Sequence, residues 1–100
     1  MEFKIGSFNC SVSSYMQSKR IAICLSDNEG PYCKLSTNVP EIPLEKNEFV
    51  LNHDLLHNMF RGLTVQLLES GFFKDTGRIC SFGFCKNVPI WKLETKGKPL

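Results

Sequence analysis

One hundred residues with a net charge of +2, 42% hydrophobic and 22% charged, describe a single folded domain with one core. That balance excludes a disordered chain, and the charge alone is too small to imply nucleic acid. The opening Met1-Glu-Phe-Lys-Ile-Gly6 has no basic stretch leading into an apolar run, and no segment approaches the roughly 18 apolar residues of a membrane span, so the expected compartment is the cytoplasm.

Phe3 and Ile5, then Phe8, Cys10 and Val12, repeat with period two and change phase at Gly6-Ser7. This predicts a strand with a bulge or bend there. Ile21, Ile23 and Leu25 alternate with Ala22, Cys24 and Ser26, the pattern of a half-buried strand. Residues 27–31, from Asp27 to Pro31, form a turn: Asp and Asn accept tight turns, Gly30 allows positive φ, and Pro31 cannot donate a ladder bond. Tyr32 to Thr37 returns as the partner strand, with Cys33, Leu35 and Thr37 on one face. Pro40 and Pro43 make residues 38–47 a loop.

Residues 48–51 read as a short edge strand or the lead-in to a helix that Asn52 or Asp54 caps. Leu56, Met59, Phe60, Leu63 and Leu67 give that helix its apolar stripe, and Gly71 follows its end. Gly62 costs about 1 kcal/mol against alanine inside a helix and marks a kink or a break into two short helices. Phe72 and Phe73 dock the helix end. Residues 74–77 read as a turn, 78–86 as a strand with Cys80, Phe82 and Phe84 on one face, and 87–89 as a turn into Ile90–Leu93. The expected fold is α+β: a small antiparallel sheet with one main helix on one face, in the order strands, helix, strands. The domain spans 1–95, and 96–100 is a flexible tail.

Five cysteines, an odd count without a secretory start, argue against a disulfide framework and for buried free thiols. Residues 27–54 carry six acids against two bases, a net of −4; residues 74–100 carry six bases against two acids, a net of +4. Such asymmetry either steers a partner or places two solvated faces that attract each other within the fold.

Two histidines four apart, His53 and His57, with Cys80 and Cys85, supply the donor types of a tetrahedral zinc site. On a regular strand Cys80 and Cys85 point to opposite faces, so that site requires a bulge or turn at Gly83. Phe82, Phe84 and Trp91 interleave with Arg78, Lys86 and Lys92, the aromatic-basic mix of single-strand binders, though alternating aromatics on a strand are more often core. No phosphate loop, dinucleotide fingerprint, carboxylate pair or locally ordered nucleophile–base set is present. The chain therefore reads as non-enzymatic and without a cofactor, zinc being the one alternative.

The run Ile23-x-Leu25, then Gly30-Pro31-Tyr32-x-x-Leu35-Ser36-x-Asn38-Val39-Pro40-Glu41, followed by Leu67-x-x-x-Gly71-Phe72, Thr76-Gly77-Arg78, Gly83-Phe84 and Pro89-Ile90-x-x-Leu93, resembles a family of small proteins of unknown function carried by bacterial phages, plasmids and conjugative elements. The resemblance spans nearly the whole chain. It rests on structural punctuation and supplies no site residues; the His and Cys pairs are outside it. It implies a cytoplasmic protein of a bacterial host cell that binds host machinery. The function expected is an anti-CRISPR-like inhibitor of a bacterial defence or nucleic-acid-processing protein, for example a CRISPR effector. Asp27, Glu29, Glu41, Glu45 and Glu48 would mimic phosphates toward a basic channel, and Arg78, Lys86 and Trp91 would serve a partner of opposite polarity. The alternatives are a small nucleic-acid-binding accessory protein and a zinc-stabilised structural domain.

Overall fold

The computed structural model describes residues 2–16, 20–57 and 60–94. Among the described residues, ten elements form two four-stranded antiparallel sheets, one 3-10 turn and one α-helix. The α+β class holds, but the expected single sheet is two.

The first sheet has the order β1 (Glu2–Ile5), β2 (Phe8–Ser14), β3 (Ile21–Asp27), β4 (Gly30–Lys34). Each strand pairs with its neighbour in sequence, so hairpin loops suffice to connect them. Phe3, Cys10, Leu25 and Cys33 lie directly across from one another, one row spanning all four strands. Phe3, Ile5, Cys10, Ile23 and Leu25 are buried on this face, while Lys4, Ser13, Cys24 and Lys34 on the other are exposed.

The phase change at Gly6-Ser7 is a chain reversal and not the bulge that the pattern predicts. Ile5 pairs with Phe8 across a two-residue loop with Gly6 at φ 60°. A hairpin of this length puts its two flanking residues on one face, three positions apart, which mimics a bulge in the sequence. At the β3–β4 hairpin Asn28 and Glu29 form the turn, and the Asp27 carboxylate accepts from the Glu29 N–H at 2.9 Å.

The predicted return strand 32–37 is divided between the two sheets. Leu35 is the crossing point: its N–H donates to Ile23 O (2.8 Å) in the first sheet, and its carbonyl accepts from Asn52 N (2.7 Å) beside the second. Ser36, buried, accepts from the Ile23 N–H at 3.0 Å, and its hydroxyl pairs with the Tyr15 hydroxyl at 2.9 Å. Arg20 donates to the carbonyls of Val39 and Pro40, pinning the 38–47 loop.

The second sheet has the order β5 (Ser36–Thr37), β6 (Glu48–Leu51), β8 (Cys85–Leu93), β7 (Phe73–Phe82). β6 is an interior strand, and all four of its residues are buried. Phe49, Trp91 and Asp75 lie across from one another, as do Phe73 and Leu93. Phe49, Phe73 and Trp91 form an aromatic cluster with ring centroids 5.9–6.4 Å apart. Phe3 stacks on Phe72 at 4.1 Å and reaches Phe73 at 6.1 Å, joining the two sheets in one core.

Residues 74–77 do not reverse the chain. They lie inside β7, where Lys74 and Asp75 stay paired with β8 and a bulge shifts the register between Asp75 and Ile79. The turn chemistry is real but is used within the strand: Asp75 Oδ1 accepts from Gly77 N (2.9 Å), Thr76 Oγ1 accepts from Arg78 N (3.2 Å) and donates to Ile90 O (2.7 Å), and Gly77 sits at φ 83°. Residues 87–89 are likewise within β8. Pro89 faces Ile79 on β7, and pairing with β6 begins only at Ile90, so its missing N–H falls where β8 has no second neighbour.

The helical segment breaks, upstream of Gly62. A 3-10 turn spans His53–Leu56, capped by Asn52, and α1 spans Arg61–Glu69 with Gly62 in its first turn. Leu63 and Leu67 of the predicted stripe are buried, Phe60 is half-buried and Leu56 is exposed; Met59 and the proposed tail 96–100 lie outside the described residues. No helix among the described residues is long and apolar enough to cross a membrane.

Candidate functional site

Three features stand out from the scaffold. The first is the distal part of the β7–β8 hairpin. β6 braces β8 only from Ile90 to Lys92, so residues 85–89 pair with β7 alone and form a two-stranded ribbon. Gly83 (φ 54°) and Phe84 make its tip. Phe84 is 104% exposed and Ile79 60%, while Lys86 is exposed beside the tip. Two large apolar side chains thus stand in water on one ribbon.

The second feature is the 3-10 turn. The Asn52 side chain accepts from Asp54 N (3.1 Å) and donates to Lys34 O (2.9 Å), and His57 N donates to Asp54 O (3.3 Å). Buried Leu55 fixes the turn to the core. His53, Asp54 and His57 are thereby gathered, with ligand-capable atoms all within 4.8 Å of one another and imidazole centroids 6.0 Å apart at 83°. Cys80 and Cys85 do not join this group. They sit half-buried on the hairpin, with Cys80 facing Val88 and Cys85 facing Phe82. The turn at Gly83 that the four-ligand zinc set requires is present, but the histidines are gathered with Asp54. A signal for Asp54 stood in the sequence, His53-Asp54-x-x-His57 with the acid one residue after the first His; its reading as a helix cap concealed it.

The third feature is a cleft of about 230 Å³ between α1, the 3-10 turn and the second sheet, with His57, Arg61, Thr64, Asp75 and Trp91 among its walls. Trp91 is 2% exposed, and its indole N–H has no acceptor among the described residues. A buried donor left so costs about 1–3 kcal/mol.

The acids and bases divide differently from their positions in sequence. Glu48 is 6% exposed and pairs with Arg78, and its Oε1 also accepts from Glu45 N at 2.9 Å. These two residues, expected on surfaces of opposite polarity, neutralise each other within the fold, because strand pairing of β6, β8 and β7 brings their segments together. Burial likewise removes Trp91 from the contact residues. Glu29, Glu41, Glu45 and Lys86 are exposed; Asp27 is half-buried at its turn.

Cys10, Cys33 and Cys80 are held back from ionising. Burial, with smaller contributions from the neighbouring Cys24 and Cys33, pushes Cys10 up to about 12. Burial followed by Cys24 pushes Cys33 up to about 11, and burial raises Cys80. A thiol held protonated is a poor nucleophile. All five cysteines are free; Cys10 is buried and Cys24 is exposed on the polar face. No family model matches the chain, and no curated protein or solved structure does either.

Proposed function

We propose that this chain is a non-enzymatic interaction protein that inserts the tip of its β7–β8 hairpin into a pocket on a partner protein. The observation that carries this reading is Phe84, wholly exposed at the end of a paired ribbon. Burying a Phe side chain contributes about 1.5–3 kcal/mol, and strand pairing reduces the ordering cost on binding. Lys86, two residues on, favours an acidic rim around that pocket. The partner class follows from the resemblance to proteins of mobile elements: a bacterial defence protein, such as a CRISPR effector, that this chain inhibits. Exposed Glu29, Glu41 and Glu45, with Asp27, provide a second, acidic contact for a basic channel. Nucleic-acid binding has less support, since of Phe82, Phe84 and Trp91 only Phe84 is exposed enough to stack on a base.

The test is capture of tagged wild type and Phe84→Ser from nuclease-treated bacterial lysate, read by mass spectrometry. One stoichiometric protein held by wild type and lost by the folded variant is the expected result. Equal capture by both, or capture by neither, overturns it.

A further inference from the structure

We infer that His53, Asp54 and His57 form a site for a divalent transition-metal cation of the zinc type, with at least one coordination position left to an exogenous ligand. Each residue offers one donor atom, and the three donors lie within 4.8 Å of one another. Donors bound at about 2.0–2.2 Å around one ion are roughly 3–4 Å apart, so small rotamer changes close the remaining gap. The donor set is two imidazoles and one carboxylate. That set suits Zn²⁺, Co²⁺ or Ni²⁺, whereas Ca²⁺ and Mg²⁺ call for oxygen ligands.

The backbone beneath the donors is organised in advance. The Asn52 side chain bonds Asp54 N and Lys34 O, and Asn52 N bonds Leu35 O, so the turn is tied to β4 and to the crossing between the sheets. Buried Leu55, between Asp54 and Leu56, anchors it from below. The imidazole planes stand at 83° to each other rather than stacked, which leaves their edges, where the nitrogens are, able to converge. Asp54 and His57 also line a groove of about 450 Å³ with Tyr32, Lys34 and Phe60, which gives room for a water or a small anion beside the ion. Three protein ligands with a position left for a water or another small ligand differ from the closed four-ligand sets of purely structural zinc sites. The site is on a different element from the hairpin tip and does not depend on the partner-binding reading.

The test is titration of the purified full chain with Zn²⁺ in competition with a chromophoric chelator, with circular dichroism of every variant. One Zn²⁺ per chain at micromolar affinity is expected. His57→Gln and His53→Gln should each weaken binding by at least about tenfold, the lower end of what even an outer-shell loss costs. Asp54→Asn should also weaken it. The double variant Cys80→Ser/Cys85→Ser should bind as wild type, and Zn²⁺ should raise the melting temperature of wild type but not of His57→Gln. No binding up to millimolar Zn²⁺, or binding that His57→Gln leaves unchanged, overturns the site. Zinc binding lost in the cysteine variant and retained in the histidine variants would do the same.

Discussion

The sheet of β1–β4 and the sheet of β5–β8 have equal strand numbers and are held in opposite ways. In the first, every strand pairs with its neighbour in sequence, one face is apolar and the other polar. In the second, β8 is placed between β6 and β7, β6 is buried along its whole length, and the β7–β8 register is interrupted at two places. The first is a meander with a single register shift, between Leu25 and Ser26. The second carries the aromatic cluster, the buried carboxylate, the indole N–H without an acceptor among the described residues and the exposed hairpin tip. Local pairing buys regularity, while non-local pairing gathers residues from distant segments, and such gathering is what builds unusual environments.

The comparison is broken most directly at Phe49, which is 1% exposed at the centre of the second sheet's aromatic cluster. Phe49→Ala should cost about 3–5 kcal/mol, a large part of the stability of a domain this size. Leu25→Ala in the first sheet should cost about 2–5 kcal/mol. Because Phe3 joins the two sheets through Phe72 and Phe73, both variants should unfold in one urea transition with an unchanged slope. Two separated transitions would mean that the sheets are independent units.

The Glu48–Arg78 pair sharpens the comparison, because its partners are unequally buried: the Glu48 side chain is 5% exposed and that of Arg78 46%. Removing Arg78 leaves a buried carboxylate without its cation, whereas removing the Glu48 charge lets the guanidinium turn to water. Arg78→Ala should therefore cost about 2–3 kcal/mol and Glu48→Gln about 1 kcal/mol, measured by urea denaturation. Equal costs would show that the pair behaves as an ordinary surface bridge.

The same contrast governs what could be read from the residues alone. Alternation of Ile21, Ile23 and Leu25 located β3, since a strand with one wet face writes its period into the sequence. Glu48 to Leu51 has no alternation, being buried on both faces, so strand and helix lead-in read alike. Asp75, Thr76 and Gly77 show turn chemistry truthfully, but a side-chain-bonded bulge uses the same residues as a reversal. The opposite charges of residues 27–54 and 74–100 suggested either a partner surface or internal attraction; Glu48 and Arg78 take the internal course, and only strand order reveals it. His53 and His57 were legible as a pair by their spacing. Their convergence with Asp54 depends on a 3-10 turn that ends before α1 begins, which helical periodicity does not register.

A smaller effect belongs to the first sheet. The Cys10 thiol stays protonated in the folded chain up to about 12, while an ordinary thiol ionises near 9.0. As pH rises past 9 the unfolded chain gives up its proton first, so stability is full below about pH 9 and falls between about 9 and 12. Cys10→Ala should be less stable at neutral pH and lose stability less steeply across that alkaline range. An unchanged alkaline slope in chemical denaturation would assign the pH dependence to other groups.

The smallest expected effect on the fold separates scaffold from contact within one hairpin. Phe82 is half-buried against the core, and Phe84, two residues on, is wholly exposed. Phe84→Ser should change the unfolding free energy by no more than about 0.5 kcal/mol, because the side chain is equally wet in both states. Phe82→Ser should cost about 1–3 kcal/mol through lost burial. If Phe84→Ser instead destabilises the isolated chain, its ring already has a place in the fold and is not free to fill a partner's pocket. A stable Phe84→Ser variant that no longer holds its partner would put the loss in the contact itself, since the ribbon and the core beneath it would be intact.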